Sequence, residues 1–369
     1  MAALPEVTFP PVPDMRILAT KSAYFVLYKK RGGMCINRQL IAGALFVALA
    51  VTAAFSFAAQ VWGAESKPQE SYIKYVDFNV TAQALSDALE LDIKYHNEPW
   101  APGFSASLAY LGAKWGGDFR RYKKSALVEL YEKLKSGTTM EELTAGLKYY
   151  PYYSKAYGAI LDGMVGTYYV PKKNPDGTVV MEEKYGLKAF SPIAAGYYYH
   201  HYDDFGDSRS YGYRRQHLGH DIMGSIGTPI IAIESGYIEA CGWNMYGGWR
   251  IGIRSFDGKR YYYYAHLRKN HPYNDIYEGK IVYAGEVIGY LGMTGYSTRE
   301  NVNNISVPHL HVGLQLIFHP SQKDGWNQIW IDMYELTKFL AKNRSKVYYD
   351  KEAKEYYAET VIYDPAVND

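Results

Sequence analysis

Imidazoles and a carboxylate recur in three separated segments: His217-Leu218-Gly219-His220-Asp221, Tyr264-Ala265-His266-Leu267 and Pro308-His309-Leu310-His311. His309 and His311 stand two apart in a run from Pro308 to Leu316 that reads as a strand. Side chains alternate along a strand, so both rings project from one face. His217 and Asp221 add a His-x-x-x-Asp pair ahead of a glycine-rich turn. Two histidines and one carboxylate make three ligands for a zinc ion whose fourth position stays open to water. Two further histidines then remain for acid–base work. Such an ion polarises a carbonyl and activates water against an amide bond. His220, three residues from His217, competes as a ligand on spacing alone.

The elements that must position these side chains are short and β-rich. From about Leu187 onward, apolar runs alternate with glycines and turn residues. Trp249 to Ser255 and Arg260 to His266 flank Phe256-Asp257-Gly258-Lys259, a strong hairpin signal. Pro229 to Ile233 and Tyr237 to Ala240 flank Glu234-Ser235-Gly236, and Ile281 to Tyr283 and Val287 to Leu291 flank Ala284-Gly285-Glu286. Short strands at this spacing indicate an antiparallel β domain. Within the tyrosine run, alternation puts Tyr262 and Tyr264 on the face of His266. The 39 tyrosines are the compositional outlier and suit half-buried strands.

Ahead of this region the texture is helical. Leu127, Leu130, Tyr131 and Leu134 recur at helical spacing, and Thr138 with Glu141, or Thr139 with Glu142, forms a capping box. Lys172-Lys173-Asn174-Pro175-Asp176-Gly177 reads as a turn between two strands. After Gly325 the pattern returns to helix, with Ile329, Met333, Leu336, Phe339 and Leu340 at three- and four-residue steps. Near the N-terminus an uncharged run extends from Leu40 to Ala64, with Lys29, Lys30, Arg31 and Arg38 before it. This reads as a signal peptide starting at Met34 and cleaved near Ala58 or as a retained membrane anchor, with a buried soluble helix as the third reading. The first two readings both place the remainder outside the cytoplasm. The organisation expected is an N-terminal extension with signal peptide or anchor at 1–64, a helical domain at 65–186, a β domain at 187–320 and a helical tail at 321–369. The fold class is α+β. A net charge of +2 argues against a nucleic-acid binder, which concentrates basic charge on one face.

The order His-x-Gly-x-Asp, Tyr-x-His-Leu, His-Leu-His resembles the lysostaphin-type (LytM-type) zinc endopeptidases, which cut peptide bonds in bacterial peptidoglycan. The resemblance runs from Ser191 to Phe318 and includes Gly227-Thr228-Pro229-Ile230, Gly236, Gly279, Gly285, Val287-Ile288-Gly289 and Gly292-Met293-Thr294-Gly295-Tyr296-Ser297. It implies a small antiparallel sheet with a zinc-containing groove. It also implies His217, Asp221 and His311 as zinc ligands, with His266 and His309 as the catalytic pair. His220 then takes a supporting or surface role, and His200, His201, His271 and His319 fit no motif position. One departure is the segment Thr298 to Val307, longer than usual between the glycine turn and His-Leu-His. It should sit beside the metal as a specificity element or lid. The expected substrate is a peptidoglycan peptide, and the helical region binds the wall, a protein partner or the groove itself. The competing class is a non-catalytic scaffold or activator of other wall enzymes, whose members typically lack one or more of these five residues.

Overall fold

A computed structural model describes residues 72–210 and 213–367. The expected signal peptide or anchor at 1–64 lies outside the described residues. Among the described residues no helix is long and apolar enough to cross a membrane.

The N-terminal part packs helices α1 (Ala82–Tyr95), α2 (Phe104–Trp115), α3 (Lys124–Lys135), α4 (Met140–Thr144) and α5 (Tyr150–Leu161). Thr81 caps α1 by accepting from the Ala84 N–H, and Thr139 with Glu142 makes a reciprocal capping box on α4. Leu127, Leu130, Tyr131 and Leu134 form the buried stripe of α3. A hairpin of β1 (Val165–Lys173) and β2 (Val179–Leu187) follows, turned at Asn174 to Thr178. It docks on α1 through Tyr185, whose hydroxyl donates to Asp92 at 2.8 Å.

The β region comprises β3 (Tyr199–Tyr202), β4 (Ser208–Arg209), β5 (Arg215–Gln216), β6 (His220–Gly224), β7 (Pro229–Ile231), β8 (Gly236–Asn244), β9 (Gly248–Ser255), β10 (Arg260–Ala265), β11 (Ile281–Val282), β12 (Val287–Tyr290) and β13 (His309–Leu316). The main sheet runs β11-β8-β9-β10-β13-β6-β3, with antiparallel pairings. The expected β9–β10 hairpin forms. The runs at 229–233 and 287–291 pair instead with each other, as β7 with β12, in a separate small sheet.

The tail departs from the helical expectation. Ile329–Ile331 is β14, pairing with the second half of β13, and helix α6 spans only Tyr334–Leu340. Val347–Asp350 and Glu355–Ala358 form a final hairpin, β15 and β16. The step from Ile329 to Met333 imitates one helical turn. Ile329 and Ile331 nevertheless bury at the strand period, and the Asp332 carboxylate accepts from the Tyr334 N–H at 2.8 Å where the helix begins.

One continuous apolar cluster joins both regions, from Leu85, Leu108 and Leu127 through Ile160 to Ile253, Leu310 and Leu314. A buried polar clamp crosses the same boundary. The Arg260 guanidinium donates to both Glu234 oxygens (2.8 and 2.9 Å) and to the Ala159 carbonyl of α5 (2.8 Å), and Tyr262 donates to Glu234 at 2.7 Å.

Candidate active site

Three neighbouring strands bring the separated motifs together. β13 lies between β10 and β6, so His311 faces Ala265 on one side and Asp221 on the other. Directly opposed residues of an antiparallel pair share a face, which puts His309, His311 and Asp221 over one patch of sheet. His217 reaches the same patch from the segment before β6. His266 follows the last residue of β10 with φ +63°, an uncommon backbone state for a residue with a side chain. That reversal carries its ring into the patch out of alternation with β10. Tyr262 and Tyr264 therefore do not share its face. Both are fully buried on the core side, their hydroxyls bonded to Glu234 and to the Ile233 N–H. Tyr263 lines the groove instead, its ring centre 5.9 Å from that of His311.

His217 Nε2, Asp221 Oδ1 and His311 Nδ1 form a triangle with edges of 2.8, 3.1 and 3.1 Å. Among the described residues these three side chains form a group whose donor atoms all lie within 4.8 Å of one another, as a metal ion requires. Zinc bonds of about 2.0–2.1 Å in a tetrahedron need ligand atoms about 3.3 Å apart. The observed triangle is a few tenths tighter, so two nitrogens and one carboxylate oxygen fit such an ion with little movement. Gly219 makes room for the His311 ring. A Cβ there would stand 2.5 Å from His311 Nε2 and 3.0 Å from the Val312 carbonyl, which gives the glycine of the first motif a steric reason.

His266 and His309 stand beside the triangle with ring centres 4.8 Å apart. His266 Nδ1 donates to the Thr294 carbonyl at 2.9 Å and His309 Nδ1 to the Val307 carbonyl at 2.8 Å. Each ring is thereby fixed in the tautomer that leaves Nε2 with a lone pair. His309 Nε2 is 3.7 Å from Asp221 Oδ2. All five residues line a cavity of about 460 Å³, with Arg209, Arg215, Tyr246, Tyr296 and Trp330 among its walls.

The local field is uneven. Burial works against the Asp221 charge, yet hydrogen bonds from His217 and His311 hold its carboxyl well below the usual carboxylate range. Burial also opposes a charged His217, but hydrogen bonds to Asp204 and then Asp221 outweigh it and lift the ring to about 9. Burial lowers His311 despite Asp221, and lowers His266 further, with His309 adding repulsion.

The inserted segment after the glycine turn is stapled in place. Asn301 Oδ1 accepts from Trp249 Nε1 (3.0 Å) and from the Asn270 N–H (2.8 Å), and its amide donates to Asn270 Oδ1 (2.7 Å). Asn304 donates to the Tyr296 carbonyl at 2.7 Å. Asn304, Ile305 and Ser306 face the cavity, so this segment forms part of the groove wall.

Two features escape sequence reasoning. Asp204 contacts the far side of His217, and Arg209 ties Asp204 to the site. His220 is buried and bonded to His201, ring nitrogen to ring nitrogen at 2.8 Å, and lies outside the metal triangle. His200 is exposed, His319 is half-buried and stacks on Tyr72, and His271 pairs with Glu355 away from the cavity. No spacing rule links Asp204 to His217 or His201 to His220. These contacts arise only when the 200–216 segment folds back on β6.

Residues 215–323 match the profile of Peptidase family M23. The chain is 42% identical over 123 residues to an L-Ala–D-Glu endopeptidase of Bacillus subtilis, covering 33% of this chain and 36% of that protein. It is 45% identical over 96 residues to lysostaphin of Staphylococcus staphylolyticus, covering 26% of this chain and 18% of that protein. The chain thus spans well under half the length of these relatives. Among solved structures, a candidate glycyl-glycine endopeptidase lytM from Ruminococcus gnavus aligns over 76% of this chain and 95% of that one, at 22% identity and a TM-score of 0.47.

Proposed function

From the premise that residues 215–323 belong to Peptidase family M23, we propose that this chain is a zinc metalloendopeptidase that hydrolyses peptide bonds in bacterial cell-wall peptidoglycan. The observation that carries the reading is the donor triangle of His217, Asp221 and His311 beside two histidines whose Nδ1 atoms are tied to backbone carbonyls. Zinc held by His217 Nε2, Asp221 Oδ1 and His311 Nδ1 supplies Lewis-acid polarisation of the scissile carbonyl and activation of water.

The remaining work falls to the chain's own side chains. His266, buried and neutral, presents Nε2 as the acceptor for a proton from the attacking water. The one proton taken from the water then goes to the leaving amine, directly from His266 or by way of His309 Nε2, whose ring centre lies 4.8 Å from that of His266. The rings of Tyr263, Tyr296 and Trp330 and the segment 304–306 line the groove that would receive the peptide. The similarity to a protein named as an L-Ala–D-Glu endopeptidase supports a peptide of the wall as substrate. The uncharged run at 40–64, preceded by basic residues, supports an extracytoplasmic location, by secretion or by a membrane anchor. We assign 187–320 as the peptidase domain and 65–186 as a helical domain that binds the wall, a protein partner or the groove itself; its described part, from residue 72, shares the peptidase core.

The test is digestion of purified peptidoglycan with identification of released fragments by mass spectrometry. New amine termini that disappear with a chelator and in His309→Ala support the reading. Intact peptidoglycan of several wall types after exposure to zinc-loaded protein contradicts it and favours a scaffold.

A further inference from the structure

Asp204 is among the most buried carboxylates described, with 2% of its surface exposed. Its Oδ2 stands 3.2 Å from His217 Nδ1, and its own backbone carbonyl stands 3.1 Å from the same nitrogen. Both are acceptors, so His217 Nδ1 carries the proton and donates. With Nδ1 so engaged, Nε2, the atom in the donor triangle, is the one that a metal ion would take in exchange for a proton. The backbone enforces this approach. Gly206 N–H donates to the His217 carbonyl at 2.7 Å, and His217 N–H donates to the Asp207 carbonyl at 2.8 Å. The 204–207 turn and the ligand are thus laced together before any side chain is considered.

Arg209 completes the arrangement. Its guanidinium pairs with Asp204 Oδ2 and lies 3.7 Å from Asp221 Oδ2, so one cation spans the carboxylate behind His217 and the carboxylate in the triangle. Asp204 Oδ1 has no hydrogen-bond partner among the described residues. A buried carboxylate with one oxygen unsatisfied is costly, and its retention calls for a reason beyond packing.

We propose that Asp204 is a positioning residue of the metal site: it fixes the tautomer and orientation of His217, strengthens Nε2 as a ligand, and is itself held by Arg209. This rests on the zinc reading given above. A carboxylate behind a metal-bound histidine raises ligand basicity and removes ring rotation, and losing it typically costs about 10–100-fold in metal affinity.

The experiment measures zinc affinity of the full chain by competition with a chromophoric chelator, for wild type, Asp204→Asn and Asp204→Glu. Asp204→Asn should bind zinc about 10–100-fold more weakly, with Asp204→Glu recovering part of the loss. Visible spectra of the cobalt-loaded proteins should shift in Asp204→Asn, which a purely structural role would not produce. Nitrogen NMR of the zinc-loaded wild type must show His217 protonated at Nδ1, a readout independent of whether any variant folds. Protonation at Nε2, or an Asp204→Asn protein with wild-type zinc affinity and an unchanged cobalt spectrum, overturns the inference alone. A wild type that binds no zinc overturns both the inference and the function on which it rests.

Discussion

Gly219→Ala offers a sharp steric probe of the site. A methyl group at this position would lie 2.5 Å from His311 Nε2, whereas ordinary van der Waals contact begins at 3.4 Å. The Val312 carbonyl, at 3.0 Å on the other side, blocks retreat of the new carbon. The His311 ring must therefore move by roughly 1 Å, several times the about 0.2 Å tolerance of a metal–ligand bond. A misplacement of this size costs on the order of 100-fold, or about 2.7 kcal/mol. We expect zinc affinity and peptidoglycan cleavage each to fall by about that factor. Chelator competition and fragment release measure the two, while circular dichroism and thermal melting of the metal-free protein establish that the fold survives. A folded Gly219→Ala protein with wild-type zinc affinity would refute the argument that His311 is a ligand held in place by the absence of a side chain at 219.

Three further outcomes are expected. Arg260→Ala leaves the buried Glu234 carboxylate without its cation, with only Tyr262 still donating to it, and removes the bond to Ala159, so urea unfolding should show a loss of about 3–5 kcal/mol; a loss below about 1 kcal/mol contradicts the clamp. Asn301→Ala removes three hydrogen bonds and places alanine at φ +60°; we expect about 1–3 kcal/mol lower stability and a higher KM with unchanged zinc affinity, and unaltered KM would remove this segment from the groove wall. Burial, with Lys338 and His200 adding repulsion, lowers His201 to about 4 from its usual 6.5, so the folded chain keeps it neutral where the unfolded chain protonates it. Its contribution is complete above pH 6.5 and is lost as pH falls from 6.5 towards about 4. Replacing His201 with Asn should flatten the pH dependence of unfolding in that window, and identical slopes would exclude this role.

The site was legible where its chemistry is local in sequence. His309 and His311 alternate on β13, and the hairpin signal at 256–259 fixes β9 against β10, the strand that leads into His266; that β10 lies beside β13 is given by neither signal. Alternation failed at the tyrosine run because His266 adopts a positive φ just past the strand end, which no period reveals. The tail failed for a related reason. A four-residue apolar step from Ile329 to Met333 serves one strand and the start of one helix as readily as a single helix. Asp204, Arg209 and the His201–His220 pair were illegible because they meet through chain reversal, in a segment whose composition resembles a polar loop. The Arg260 clamp was hidden likewise, since its partners lie 26 and 101 residues away.

The central claim is that His217, Asp221 and His311 together hold one zinc ion. Anomalous diffraction at the zinc edge from crystals of the zinc-loaded chain tests it most directly. A single strong peak within about 2.0–2.2 Å of His217 Nε2, Asp221 Oδ1 and His311 Nδ1 is the expected result. A peak on His201 and His220, or none at the triangle, would contradict the account.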